Sequence, residues 1–388
     1  MLPPGSRSRA GLALACAAAD GRFALQVCAA CRSPQYPPRD VCRTCLGTEL
    51  RWHEVSSGGV VLAETTVRIS NDPYFRSRTP WRTGLVQLDC GPSVVAHLHG
   101  DVANAARVRM TLRLDKSGQA VMLAMPEHDT SNMQDDPLLR EMTCDPKGRR
   151  VLVTDGRTGF GQEIARALIA AGAAQVFTGI ADTWKPFPGQ ADLPGETVEL
   201  DITDSQSIQR MTAEFGGRID IVVNTGLHIR PGAVLARGDT ISAREELEIA
   251  CLGPMRLAQA LGPALRARGG DGTHGACAWV DIISIAALAP SPHYAATAMA
   301  QAARLSLAQA LRQELRPVRV ITAFTGPLED DWHQAVPPPK VTPSALASAI
   351  IRALREGHEE TVVGDSARDV MERWKDNPNL LARELAAG

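Results

Sequence analysis

Two Cys-x-x-Cys pairs, Cys28/Cys31 and Cys42/Cys45, lie ten residues apart near the start of the chain. A pair at this spacing sets two thiolates on one side of a tight turn, and two such turns supply the tetrahedral sulfur set that Zn²⁺ favours. Four protein thiolates close the coordination sphere, so the metal has no open position to activate water and its role is structural. Metal binding is then part of the free energy that folds this lobe. Redox-active or disulfide-bonded pairs are the competing reading of the same residues, and iron accepts the same ligands. Cys16, Cys90, Cys144, Cys251 and Cys277 have no partner at motif spacing and are expected to be small buried apolar residues.

At 388 residues the chain is long for one core, which predicts two or three domains. Composition changes over 127–148, where the polar, unpatterned run from Glu127 to Pro137 and the turn formers Asp145-Pro146-Lys147-Gly148 read as a linker. Ahead of it, short alternating runs at 59–67, 83–88, 93–98, 107–112 and 120–124 predict five strands of a small β-barrel. Beyond it, strands at 151–154, 176–179, 197–200, 219–224, 279–284 and 318–324 alternate with helical stretches, among them 162–171, 243–266 and 294–315. That alternation predicts an α/β domain with a doubly wound parallel sheet. The expected organisation is a helical segment over 1–20, a metal ribbon and barrel over 21–126, a linker over 127–148 and the α/β domain over 149–388.

A formal net charge of -2 with no long run of one sign leaves no electrostatic footprint for nucleic acid or an anionic membrane. The barrel strands carry no basic stripe with interleaved aromatics either, which argues against nucleic-acid binding there. No segment offers the eighteen uninterrupted apolar residues of a membrane helix. The start, Ser6-Arg7-Ser8-Arg9 followed by Ala10 to Ala19, imitates a signal peptide, but the metal spacing of the cysteines favours a reducing, cytoplasmic setting and a short amphipathic helix.

The run Cys28-x-x-Cys31, Tyr36-Pro37-Pro38-Arg39, Cys42-x-x-Cys45, Gly47, Leu50 and Trp52 before Gly58-Gly59-Val60-Val61 resembles the rubredoxin-like zinc ribbon plus OB-fold family. These acyl-CoA-associated proteins accompany thiolases and CoA-ester aldolases, usually as non-catalytic partners, and the resemblance covers about residues 20–126. It implies that the loop bearing Phe75, Arg76, Arg78, Trp81 and Arg82 faces a CoA phosphate or a partner subunit. A solvated barrel loop with an aromatic plug is the plainer alternative.

Strand 151–154 runs into Thr154-Asp155-Gly156-Arg157-Thr158-Gly159-Phe160-Gly161 and then a helix, a turn at which backbone N–H groups can approach a pyrophosphate. With Asp201 after the third strand, Asn224-Thr225-Gly226 after the fourth, Ser284 after the fifth and Tyr294 ten residues on, the region from about Gly148 resembles the short-chain dehydrogenase/reductase family, a Rossmann fold. The resemblance implies cofactor contacts at Thr154, Gly156, Gly159, Gly161, Asp201, Asn224 and Gly226, with Ser284 and Tyr294 as catalytic remnants. Asp182, past the second strand, is placed to cap an adenosine ribose, and the sequence sets no basic residue beside it for an extra phosphate, so NAD is expected over NADP, with a site that has lost its cofactor as the alternative.

Four departures weaken that implication. Asp155 replaces the first glycine of the family's turn and Thr225 the alanine of its Asn-Ala-Gly. Ala250 and Ala298 stand where the family's catalytic Asn and Lys belong. An unperturbed phenol has a pKa of about 10, and a neighbouring ammonium is what makes it usable as a base near neutrality. Alanine cannot supply one. The chain therefore resembles accessory subunits of benzoylsuccinyl-CoA thiolase and dehydrogenase. That implies a thiolase-fold or CoA-ester aldolase partner, acyl-CoA nearby, and pairing of the second domain with itself or with an active relative. The alternative is an NAD(P)-dependent oxidoreductase acting on 3-hydroxyacyl or 3-oxoacyl thioesters.

Overall fold

The alternating runs before the linker become a closed five-stranded barrel in the computed structural model, which describes residues 2–3, 5, 9–269 and 275–387. The chain divides into two compact units, 1–145 with 355–358 and 146–354 with 359–388. In the first, helix α1 (Arg9–Ala19) precedes a three-stranded antiparallel sheet in which β1 (Ala24–Cys28) lies between β2 (Pro34–Gln35) and β3 (Leu50–Glu54). The barrel follows: β4 (Gly58–Val67), β5 (Trp81–Leu88), β6 (Ser93–Leu98), β7 (Arg107–Leu114) and β8 (Ala120–Pro126), closed in the order β4-β5-β6-β8-β7.

Alternation decides which way each barrel residue points, because successive side chains of a strand face opposite sides. Val86, Leu88, Val94, Leu98, Val108, Met110 and Leu112 fill the lumen. Leu14, Ala17 and Ala18 of α1 join that core, so the signal-like apolar run is the buried face of a helix. Ser6 to Ser8 lie outside the described residues.

The stretch expected as a linker is built into the first unit up to Asp145. Asp136 caps the short helix α3 (Pro137–Met142) through the N–H of Leu139 and also accepts from the N–H of Gly100 at 2.8 Å. Met133 and Leu139 pack with Leu123 and Met125 of β8. Its polar composition reflects side chains capping backbone groups, which composition alone does not distinguish from solvated linker.

The second unit carries seven parallel strands: β9 (Arg150–Val153), β10 (Gln175–Ile180), β11 (Glu196–Glu199), β12 (Ile221–Asn224), β13 (Ala278–Ser284), β14 (Arg319–Thr325) and β15 (Glu360–Val363). Their spatial order is β11-β10-β9-β12-β13-β14-β15, so the direction of winding reverses between β9 and β12. Ligands of such sheets bind in the crevice outside the strand ends at that reversal. The helices that matter here are α4 (Gly159–Ala170) after β9, α5 (Ser205–Phe215) after β11, then α6 (Ile241–Leu247) and α7 (Gly253–Arg268), with α8 (Ala295–Glu314) after β13. The single helix expected over 243–266 is broken by a π turn at Glu248–Leu252, which contains Ala250.

Candidate functional site

In the ribbon, Cys28, Cys31, Cys42 and Cys45 bring four sulfurs within 4.8 Å of one another. Cys28 Sγ lies 3.6 Å from Cys45 Sγ and Cys31 Sγ 3.5 Å from Cys42 Sγ. A tetrahedral ion with Zn–S of about 2.3 Å places sulfurs about 3.8 Å apart, close to the two separations of 3.6 and 3.5 Å, so the set fits zinc.

The two knuckles are built alike. Arg32 N–H donates to Cys28 O at 2.9 Å and Leu46 N–H to Cys42 O at 3.0 Å; Cys28 N–H donates to Ser33 O and Cys42 N–H to Gly47 O. Each turn closes on a left-handed residue, Arg32 at φ 59° and Leu46 at φ 62°. Backbone N–H groups of Cys45 and Thr44 lower the Cys42 thiol to about 6 and that of Cys31 lowers Cys28, whereas Cys31, against the Ser33 backbone N–H, is pushed up to about 12 by the neighbouring thiols and burial. A buried amide pair, Gln35 Nε2 to Gln26 Oε1 at 3.1 Å, takes the N–H groups of Arg39 and Arg43 and so fixes the segment between the knuckles. Among the other cysteines only Cys144 is buried; Cys16 is exposed and Cys90, Cys251 and Cys277 are half-buried, so burial was overstated for four of the five.

The arginines of the 75–82 loop are spent within their own unit. Arg78 Nε reaches both oxygens of Glu141 at 2.5 and 2.7 Å and its guanidinium lies 3.7 Å from the centre of the Tyr74 ring. Arg82 binds Glu64 and the carbonyls of Gly100 and Val102, and Arg76 binds those of Ser70 and Asn71. Phe75 packs against Trp81, with ring centres 5.2 Å apart. Phe75 and Trp81 form the aromatic plug expected of a barrel loop.

In the second unit the glycine turn keeps its backbone path. Thr158 caps α4 through Gly161 N–H, and a Cβ on Gly161 would stand 1.9 Å from Asp155 O, so only glycine passes there. The charge at the turn has changed. Asp155 accepts from Arg157 N–H at 2.9 Å and from its guanidinium at 3.2 Å, and the same guanidinium lies 3.8 Å from Asp182. Lys185 Nζ is 2.8 Å from Asp182. The expectation that no basic residue stands beside Asp182 is therefore corrected: one arrives from the turn and one from three residues on. Lys185 holds the Asp182 carboxyl below its ordinary range. Asp201 is turned onto its own turn, accepting from Thr203 N–H and Oγ1.

Asn224 and Gly226 rest on a buried network absent from the sequence reading. Arg304 of α8, 1% exposed, donates to Asn224 O at 2.8 Å, to Gly226 O at 3.1 Å and to Asp281 Oδ1 at 3.1 Å. Asp281 also accepts from Asn224 Nδ2 and Trp279 Nε1, while Thr154 Oγ1 donates to Asn224 Oδ1. Charged residues within an apolar strand and helix pattern give no signal of their own until a partner is found.

A cavity of about 540 Å³ opens between these elements, lined among others by Arg157, Thr225, Gly226, Ser284, Asp330 and His333. Tyr294 and Ala298 stand outside its lining. Tyr294 OH donates to Trp332 O at 3.2 Å, and burial together with the Asp330 carboxylate pushes its phenol up. That is opposite in direction to what a catalytic lysine does. Ala250 and Ala298 are buried. Ser284 Oγ accepts from Ala286 N–H, with no acceptor for its own hydrogen among the described residues.

Against known proteins, residues 17–51 match the model for the ChsH2 rubredoxin-like zinc ribbon domain and 52–115 that for the ChsH2 C-terminal OB-fold domain. Residues 156–361, more than half of the chain, match the model described as enoyl-(acyl carrier protein) reductase. A short-chain dehydrogenase from Burkholderia cenocepacia, crystallised with NADP, is 27% identical with a TM-score of 0.55, covering 62% of this chain and 98% of its own. One from Streptomyces avermitilis, 24% identical, covers 62% and 97% with a TM-score of 0.51 and shows the fold alone. No curated protein matches the chain.

Proposed function

The chain belongs to the short-chain dehydrogenase/reductase family, with a ChsH2-type zinc ribbon and OB fold ahead of that domain, and from this premise we propose that it is an accessory subunit of an acyl-CoA-processing complex. The ribbon and barrel dock a thiolase-fold or CoA-ester aldolase subunit; the reductase-type domain is a scaffold rather than an ordinary hydride-transfer catalyst. The observation that carries the second half is Tyr294. Its hydroxyl is committed to Trp332 O, its phenol is pushed up rather than down, and the neighbouring position for an ammonium is Ala298. A phenol so placed is a poor base near pH 7.

Four closed thiolates suit a structural ion and leave the first unit without a reactive metal, in keeping with docking. Leu252 and Met255, at the π turn and on α7, and Met299 of α8 are exposed large apolar side chains on the helices through which the domain would pair with a second copy or an active relative. Among the described residues no helix is long and apolar enough to cross a membrane.

The intact path of the glycine turn favours a second reading, an oxidoreductase that binds NAD(P)H and acts on 3-oxoacyl thioesters. Titration calorimetry with NADH and NADPH, followed by a turnover assay with acetoacetyl-CoA, separates the two. The scaffold reading expects no acetoacetyl-CoA-dependent oxidation of either cofactor; steady turnover at ordinary rates, roughly 1 s⁻¹ or more, would overturn it.

A further inference from the structure

We infer that the cavity of the second unit holds a proton-transfer pair of its own, Asp330 with His333, and that it takes an uncharged carbonyl compound, such as a thioester, with an acidic α-C–H. The inference goes beyond the docking role and uses, of the family's tetrad, only Ser284. Asp330 Oδ1 accepts from the N–H groups of Trp332 and His333, each at 3.0 Å, and lies 2.7 Å from His333 Nδ1. The carboxylate so held fixes the ring with Nδ1–H inward and leaves Nε2 for other work. No described group bonds Nε2. His333 is 8% exposed, its ring centre 5.6 Å from that of Tyr294, and it lines the cavity with Ser284.

A second observation points to use rather than to simple capping. Among the described residues, Asp330 Oδ2 is buried with no hydrogen-bond partner. A cap needs only one carboxylate oxygen, and a buried polar atom left unpaired costs about 1–3 kcal/mol, so its persistence calls for a function. An anion beside the imidazole supplies one, because it stabilises the imidazolium that forms when Nε2 takes a proton.

The chemistry balances without a further reagent. A C–H bond α to the carbonyl breaks, its proton passes to His333 Nε2, and the electron pair moves onto the carbonyl oxygen as an enolate. Ser284 Oγ–H, uncommitted among the described residues, can donate to that oxygen. Return of the proton from Nε2 restores the substrate. Asp330, Asp331 and Glu329 line the same cavity, and its two arginines, Arg157 and Arg304, are already paired with Asp155 and Asp281, which disfavours ligands carrying a negative charge at the reacting end.

The test follows deuterium entering C2 of the N-acetylcysteamine thioester of butanoic acid in D₂O, with full-length zinc-loaded protein. Wild type is expected to exceed buffer by about 10²-fold or more, the usual range of general base catalysis. H333Q should lose that excess, D330N should lose about tenfold or more, and S284A should be slower than wild type. Exchange no faster than buffer, or H333Q as fast as wild type, overturns the inference. Should H333Q fail to fold, the wild-type protein decides. Diethyl pyrocarbonate should modify His333 and the thioester should slow that modification; a His333 that stays unmodified, or is modified equally fast with thioester present, overturns the inference.

Discussion

Replacing Arg304 by Leu should unfold the second unit far more readily, because among the described residues the guanidinium is the only cation paired with the buried Asp281 carboxylate. Arg304 and Asp281 are each 1% exposed at the side chain. Without Arg304, Asp281 keeps hydrogen bonds from Asn224 Nδ2 and Trp279 Nε1 but loses its counter-charge. Breaking one side of a buried pair costs about 3–5 kcal/mol. The carbonyls of Asn224 and Gly226 also lose their donor, at about 1 kcal/mol or more each where water does not enter. A loss of roughly 5–7 kcal/mol corresponds to a fall of roughly 10–28 °C in Tm for a domain of this size. Differential scanning calorimetry of the full chain, with one transition expected for each unit, reads the effect. Adding Asp281→Asn removes the orphaned charge, so D281N/R304L should recover about 2 kcal/mol of the single-variant loss. A loss below about 1 kcal/mol for R304L, or additivity of the two changes within about 0.5 kcal/mol, would refute the claim that this pair holds the Asn224–Gly226 turn.

Two further outcomes follow from local chemistry. Glu246 of α6 is fully buried beside Thr297, its Oε1 accepts from Arg230 N–H, and burial pushes its carboxyl above the ordinary value of 4.5. The unfolded chain then releases the proton first, so stability falls as pH rises from about 4.5 toward the folded value. E246Q, able to donate to Thr297, should match wild type near pH 4 and exceed it at pH 7 by urea denaturation; equal stability at both pH values contradicts this. In the ribbon, Leu46 is 74% exposed and left-handed, a conformation costing about 1–2 kcal/mol outside glycine. Glycine's extra unfolded-state entropy offsets about 0.5–1 kcal/mol of that, so L46G should raise the first transition slightly, and a clear fall in that transition would contradict the turn's assignment.

How much was legible in the sequence depended on whether the signal was local. The barrel strands announced themselves by alternation: the runs at 93–98 and 107–112 correspond to β6 at 93–98 and β7 at 107–114, because each has one face in the lumen. The four metal ligands were readable from spacing alone. By contrast, β15, at the sheet edge, is only partly buried and too short for a pattern. The π turn at 248–252 interrupts a helix whose composition is uniform through the break. Arg157 and Lys185 reach Asp182 only through folded geometry, and Asp330 with His333 sits in an irregular segment with no motif spacing to single it out.

The docking role is tested most directly by size-exclusion chromatography with light scattering. The zinc-loaded protein would be mixed with a thiolase-fold protein of the same organism, each at tens of micromolar, and the run repeated after chelation has emptied Cys28, Cys31, Cys42 and Cys45. Co-elution as one complex that is lost with the metal is the expected result. Separate elution of the two zinc-loaded proteins, or a complex indifferent to the metal, would contradict docking through the ribbon.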